Sequence, residues 1–211
     1  NLYKSKTLLL LFKSLYYNGQ NLSRKDSSFV YLRMDFSELI KLRQSVRQYS
    51  DRSVEREKII ACLEAARLAP SANNSQPWKF IVVDEPELKN RVADCTASLG
   101  MNKFTYQAPV MVVVVLEKEN LFSSLGGKVK DKIFCHYDVG LAIGQFCLQA
   151  AELGLGTCII GWFDEKKIRE LLNINRKRRI PLIISLGYSE TPVKAKKRKP
   201  MDEMSRWNAY N

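Results

Sequence analysis

Residues 138–164, DVGLAIGQFCLQAAELGLGTCIIGWFD, decide how this chain folds. From Asp138 to Leu153 the residues are nearly all apolar, among them Val139, Leu141, Ile143, Phe146, Leu148 and Ala151. That composition predicts a long helix buried on every side, within a core and against a partner subunit. Gly154 and Gly156 end it, and Thr157 to Ile160 begins a strand. Gly161 permits close backbone approach to a ligand, or simply makes the turn into the next helix. Asp164 caps that helix, which runs to Leu172.

Working outward, Val110 to Leu116 is an apolar, β-branched run and reads as a buried strand. Ile180 to Gly187 is a final buried strand, and Lys79 to Val83 a short one. Ser53 is the expected N-cap of a helix over Glu55 to Leu68, with Ile59, Ile60, Leu63 and Ala66 on one face. Pro86 opens another helix, at a position where proline is tolerated. A short helix starts near Asp35. No internal repeat is present. These elements predict a helix-flanked sheet with mixed strand order.

The 211 residues, 45% of them hydrophobic, suffice for one substantial core and are too few for two comfortable domains. Residues 1–33 differ in character: six Lys or Arg stand against one Asp, so five of the twelve net positive charges sit there. Met34 then reads as a natural beginning. We expect residues 1–33 to be an extension outside the catalytic fold, with Leu8 to Tyr17 able to form an amphipathic helix, and residues 34–211 to be the domain. Leu8 to Phe12 is too short to span a membrane, Lys13 interrupts it, and no small-residue cleavage site follows. A cytoplasmic protein is expected.

Cys62, Cys95, Cys135, Cys147 and Cys158 are scattered and form no C-x-x-C pair. This argues against a zinc site, an iron–sulfur cluster or a disulfide framework, and no metal is expected. His136, the single histidine, is read as a core or interface residue rather than a catalytic base. The charge of +12 raises nucleic acid as a partner through Arg176–Arg179 and Lys194–Lys199. The aromatics that single-strand stacking would need are not interleaved with those basics, and a solvated face is the commoner fate of such runs.

Two segments carry chemistry. Ala69-Pro70-Ser71-Ala72-Asn73-Asn74-Ser75-Gln76-Pro77-Trp78 places uncharged hydroxyl and amide groups between two prolines. That is a rigid loop suited to a flat, hydrogen-bonding ring. Arg43-Gln44-Ser45-Val46-Arg47-Gln48-Tyr49 puts two arginines four apart with a serine between them, a grouping that can hold a phosphate or another anion. Each has an ordinary alternative: an interelement loop, and a solvated helix end.

RQSVRQY followed by APSANNSQPWKF, then DVGLAIGQFCLQAAELGLGTCIIGWFD and the closing KKRKPMDEM, resembles the FMN-dependent nitroreductase family, in the expected order and from about Met34 to the C-terminus. The resemblance implies an α+β, three-layer fold with a mixed central sheet flanked by helices, and a homodimer. It implies FMN, with NADH or NADPH as co-substrate, and hydride transfer by a ping-pong mechanism to a nitroaromatic, quinone or related acceptor. Arg43, Gln44 and Ser45, with Arg198 or Lys199 closing from the tail, would cradle the FMN phosphate. Arg47 would face flavin N1 and the C2 carbonyl, its alternative being a helix-end salt bridge. Pro70, Ser71, Ala72 and Asn74 would line the ring from the other subunit, with Asn74 alternatively a turn residue. Ile159 and Ile160 would pack on the ring, and the Gly161 backbone N–H would approach flavin N5. Gln76, Pro77 and Trp78 are structural, Trp78 in the core. Asn102 is a candidate flavin contact one residue out of register, and the segment from Asn120 to Phe134 would help to cover the pocket. The alternatives are a relative with other flavin chemistry, such as flavin destruction or reductive dehalogenation, an inactive flavin-binding scaffold, or a basic nucleic-acid-binding module. No GxGxxG fingerprint is present, so the nicotinamide would bind over the flavin rather than in a Rossmann domain.

Overall fold

The strand at Val110–Leu116 has side chains buried on both faces, and the layers are built from that fact. The computed structural model describes residues 34–97, 100–117 and 133–210. The expected extension over 1–33, with its Leu8–Tyr17 helix, and most of the segment 120–134 lie outside the described residues. The elements are α1 (Phe36–Leu42), α2 (Arg56–Arg67), β1 (Trp78–Val83), α3 (Pro86–Thr96), β2 (Val110–Leu116), α4 (Phe134–Glu152), β3 (Gly156–Ile160), α5 (Glu165–Leu171), β4 (Leu182–Gly187) and α6 (Met201–Met204).

The strands form one sheet in the order β1-β2-β4-β3. The expected non-sequential order is therefore present. All three ladders are antiparallel, running from Trp78↔Leu116 to Val83↔Met111, from Val110↔Leu186 to Val114↔Leu182, and from Gly156↔Gly187 to Ile160↔Ile183. A single parallel bridge, Ser45↔Thr157, adds the other direction at the β3 edge.

Period-two alternation sends Val110, Val112 and Val114 to one face, where they meet Ile59, Cys62 and Ala66 of α2 and Ala142, Ile143, Phe146 and Ala150 of α4. Met111, Val113 and Val115 go to the other, against Val92 and Cys95 of α3 and Ile168 of α5. Helix pair, sheet, helix pair is the three-layer α+β arrangement expected. Full burial of each such valine is worth about 1.5–3 kcal/mol, so β2 anchors both cores. Trp78 packs half-buried at the margin of the first core.

Local chemistry sets the helix ends. Asp35 accepts the Ser37 amide at 2.7 Å, Glu85 accepts Glu87 and Leu88 amides ahead of Pro86, and Asp164 accepts the Lys167 amide at 3.1 Å as its sequence position implies. α4 ends in a Schellman turn: Gly154, at φ 76°, donates to Ala151 O and Leu155 donates to Ala150 O. Ser53 is not the cap of α2. The helix starts at Arg56 behind Glu55, whose carboxylate is turned across to the Tyr188 hydroxyl at 2.5 Å and to Arg52 at 2.8 Å. α4 also departs from expectation, because it is not buried all round. Tyr137 and Leu141 are 61% and 50% exposed, and a Cβ on Gly140 or Gly144 would meet open space.

Tyr188 sits at the centre of a polar staple between α2 and the segment after β4. Lys58 Nζ donates to its hydroxyl at 2.6 Å and to Leu153 O at 3.2 Å, while the Arg52 guanidinium lies 3.9 Å from its ring centroid. The Tyr188 hydroxyl, followed by a backbone bond and Arg52, lowers the Glu55 pKa from 4.5 to about 2. A carboxylate whose folded pKa is depressed stabilises the fold above its unfolded pKa, and loses that contribution as pH falls through the folded value. Thermal melts of wild type and Glu55→Gln should therefore differ most above about pH 5 and converge as pH falls toward 2. A difference independent of pH would remove the ionised carboxylate from the account.

Candidate functional site

β3 is an edge strand, and its free edge receives the segment that follows α1. Val46 N–H donates to Thr157 O at 2.8 Å, beside the Ser45↔Thr157 bridge. The approach is close enough to require glycine at 156, since a Cβ there would lie 2.7 Å from a Val46 methyl. Val46 and Tyr49 are buried, while Ser45 and Arg47 face solvent and Arg43 and Gln44 are half-buried. The Arg47 guanidinium lies 6.0 Å from the Phe104 ring centroid, a loose cation–π contact. It is not paired with a carboxylate among the described residues, so the salt-bridge alternative does not hold there.

The tail after β4 returns along this segment, and Gln44 fastens it. The Gln44 amide donates to Thr191 O and Pro192 O at 3.4 and 3.2 Å and accepts the Lys194 amide at 3.2 Å. This bidentate hold brings Lys196 onto the C-terminal end of α1, where its ammonium donates to Lys41 O. Desolvation, then Arg43 and Arg198, lower the Lys196 pKa. Three cations are thus gathered with no carboxylate partner among the described residues, the arrangement a phosphate would complete. Arg198 is exposed and bonds Lys197 O at 2.7 Å, and Lys199 is exposed one residue further on. The residue drawn in beside Arg43 is Lys196, which the sequence reading did not single out. Nothing in the repetitive KAKKRK run distinguishes it; Gln44 sets the register. Beneath Arg43, Gln44 and Val46, a cavity of about 110 Å³ reaches Gly156, Thr157 and Thr191.

The loop after α2 is held in an unusual backbone. Asn73, Asn74 and Gln76 have φ of 49°, 52° and 47°, a left-handed conformation that costs a non-glycine residue energy and persists only where neighbours over-determine it. Here they do. Ser71 Oγ accepts the Gln76 amide at 2.9 Å, the Gln76 side chain donates to Asn74 Oδ1 at 2.9 Å, and the Ala72 amide donates to Asp138 Oδ2 of α4 at 3.1 Å. Asn74 thus takes part in the turn, accepting the Gln76 side-chain amide at its own side chain and at its backbone carbonyl. Pro70 and Asn74 are exposed, Ser71 and Ala72 half-buried, and Pro77 buried. Asp138 is itself only 5% exposed. It is visible in the sequence as a carboxylate in the first turns of an apolar helix, but its partner is not.

At the end of β3, Ile159 and Ile160 take opposite faces of the strand, so they do not both meet a ligand through their side chains. Ile159 is 43% exposed, while Ile160 is buried in the second core. Gly161 follows in the open. The turn after it is pinned twice: Asp164 N–H donates to Cys95 O of α3 at 2.9 Å, and Asn102 Nδ2, six residues beyond the end of α3, donates to Trp162 O at 3.2 Å. Asn102, at φ 54°, accordingly acts as a brace for the Gly161 turn.

His136 is exposed and is not a core residue. Burial pushes the Cys62 thiol up to about 12 and raises those of Cys95, Cys147 and Cys158, which argues against thiolate nucleophiles. Among the described residues no cluster of metal ligands occurs. In the basic run, Arg178 pairs with Glu117 at 2.7 Å and Arg179 with Glu165 at 3.0 Å, which weakens its reading as a nucleic-acid patch. Among the described residues no helix is long and apolar enough to cross a membrane.

The family model described as "Nitroreductase family" matches residues 40–100 and 95–188. An oxygen-insensitive NADPH nitroreductase of Helicobacter acinonychis is 31% identical over 193 residues, 76% of this chain and 89% of that protein. An iodotyrosine deiodinase of Thermotoga neapolitana is 27% identical over 82% of this chain and 97% of its own length. A solved structure of an FMN-dependent nitroreductase from Clostridium difficile R20291 superposes with a TM-score of 0.67 at 32% identity, covering 82% of this chain and 98% of that one.

Removing the carboxylate that holds the strained loop should be costly. Asp138→Ala is expected to destabilise the protein by about 1–3 kcal/mol and to speed hydrogen exchange at the Ala72 amide. Unchanged exchange there would show that the loop holds its own shape.

Proposed function

The chain belongs to the nitroreductase family, and from that premise we propose that it is an NAD(P)H-dependent flavin oxidoreductase that uses FMN. When bound, FMN would supply the hydride chemistry between the reduced nicotinamide and the acceptor. The proposed acceptor is a nitroaromatic, a quinone or a related compound. It enters the pocket after the oxidised nucleotide has left, a ping-pong sequence. The observation that carries the reading is the cation cluster of Arg43, Lys196 and Arg198, without a carboxylate partner among the described residues, with the Ser45 hydroxyl two positions after Arg43 in the chain. Fixed cations and a hydroxyl of this kind suit a phosphate monoester.

The remaining roles belong to this chain's own groups. Arg43 and Lys196 bind the phosphate, with Arg198 or Lys199 closing over it, while Gln44 holds the tail in register. Arg47 would supply positive charge toward the flavin N1 side. The Gly161 backbone N–H, on a turn braced by Asn102, offers a donor toward N5. The Pro70–Asn74 loop supplies a rigid polar wall from a second protomer. The exposed stripe of Tyr137 and Leu141, beside Gly140 and Gly144, supports a homodimer through α4. The domain begins near Met34. Five free cysteines fit a reducing cytoplasm.

The deciding experiment is the visible spectrum of the purified protein, followed by NADPH or NADH without air. A flavin spectrum that bleaches with either nucleotide is the expected result; a colourless protein that refuses added FMN would overturn the reading. Arg43→Glu should weaken FMN retention by about 10- to 100-fold while the circular dichroism spectrum stays unchanged. Stoichiometric flavin in that variant would move the phosphate elsewhere.

A further inference from the structure

Tyr49 closes the RQSVRQY segment, and the functions proposed above leave it unused. Its hydroxyl is buried and held by three oxygen atoms: Val46 O at 3.0 Å, Ser185 Oγ at 2.8 Å and Ser185 O at 3.3 Å. Ser185 in turn reaches back from β4 to Cys158 O of β3 at 3.4 Å. Val46 is therefore gripped at both ends of its peptide plane pair, by Thr157 through its N–H and by Tyr49 through its C=O. The Tyr49 amide is fixed as well, donating to Gln107 Oε1 at 3.2 Å. Two glycines make the fit possible: Gly156 beneath Val46, and Gly187, where a Cβ would lie 2.5 Å from Pro109 and 3.0 Å from the Tyr49 ring. Arg47 is the exposed residue that follows this grip directly, so its backbone origin has little freedom. Burial raises the Tyr49 pKa well above the usual phenol range, so the hydroxyl keeps its proton for these bonds.

We infer that Tyr49 is a positioning residue for Arg47, and that through Arg47 it sets how readily the bound flavin is reduced. The inference rests on the FMN reading above. If the hydroxyl latch is removed, Val46 O loses a partner and the segment can shift or rotate. Arg47 then stands less well opposed to the charge that reduction places on the flavin, and the reduced form loses stabilisation. A purely structural tyrosine would lower stability and leave the potential of the flavin unchanged.

The test is a double-mutant cycle on the holoprotein, reading the midpoint potential of bound FMN beside its dissociation constant and the melting temperature. Tyr49→Phe should favour the oxidised flavin by up to tenfold, about 30 mV for a two-electron couple, and Arg47→Gln should shift it in the same direction. The double variant should match Arg47→Gln alone, because the tyrosine acts through the arginine. A Tyr49→Phe protein with bound flavin and an unshifted potential would overturn the inference. So would an unshifted Arg47→Gln, or a Tyr49→Phe shift that persists in the Arg47→Gln background. Should Tyr49→Phe fail to fold, Ser185→Ala takes its place: the hydroxyl keeps two carbonyl acceptors, and a smaller shift in the same direction is expected, with no shift counting against the inference. A wild-type protein that binds no FMN defeats the functional reading itself, a result distinct from all of these.

Discussion

Burial of β2 on both faces is the constraint from which the rest of the architecture follows. A strand whose alternate side chains all need apolar neighbours demands a helical layer on each side, and α2 with α4 and α3 with α5 supply them. Once both faces are covered, the sheet offers only its edges to anything else. β3 occupies one edge, with backbone groups open to a further partner. Thr157 meets Ser45 and Val46 there, so the segment bearing Arg43 and Arg47 docks onto a rigid rim. Side chains that must meet a ligand gain precision from such a mounting, because their backbone is fixed by the same hydrogen bonds that complete the edge.

Charge follows a similar division. Asp35, Glu85 and Asp164 serve helix N-termini, while Glu55, Glu64, Glu117 and Glu165 hold arginines or a lysine. Exposed pairs of this sort contribute little stability, but they neutralise cations locally. What remains unpaired among the described residues includes Arg43, Arg47, Lys196 and Arg198, all on the docked segment or the tail lying along it. A cluster of like charges is unfavourable by itself. It persists because Gln44 ties the tail backbone down and the β3 edge holds the other side. An anion bound there would relieve the repulsion, so the same geometry that costs the free protein stability would favour ligand binding.

The sequence disclosed elements defined by local pattern. The apolar runs of β2, β3 and β4, the Asp164 cap and the Gly154 stop were readable because each depends on residues within a few positions. Contacts made across the fold were not. Ser53 looked like a cap because Glu55's engagement with Tyr188, 133 residues away, leaves no local trace. Ile159 and Ile160 were grouped by proximity, whereas strand alternation separates them. Lys196 does not stand out in the sequence because an extended tail has no periodicity to fix its register, and only the side chain of Gln44 supplies one. The paired arginines and the proline-bounded loop were visible as chemistry, while the groups that bond the backbone of those segments, Tyr49 with Ser185 and Asp138, were legible only as composition.

α4 links two of these themes. Toward the sheet it presents Phe146, Ile143 and Ala142, and at its first turns Asp138 reaches the Ala72 amide. On the far side Tyr137, Leu141 and the two open glycines face outward. Residue 137 is adjacent to the carboxylate that holds the loop, so the outer face and the loop's anchor share the first turns of one helix. In the proposed homodimer that covering is a second α4, and packing against the glycines would draw the two backbones close. The loop with three left-handed residues, already held within the protomer by Ser71, Gln76 and Asp138, would then be presented toward the partner. Strain of this kind costs on the order of 1–3 kcal/mol per residue, which an isolated protomer must offset from within. The bonds from Ser71, Gln76 and Asp138 supply that offset, so the polar wall of the proposed flavin site is set before any pair forms.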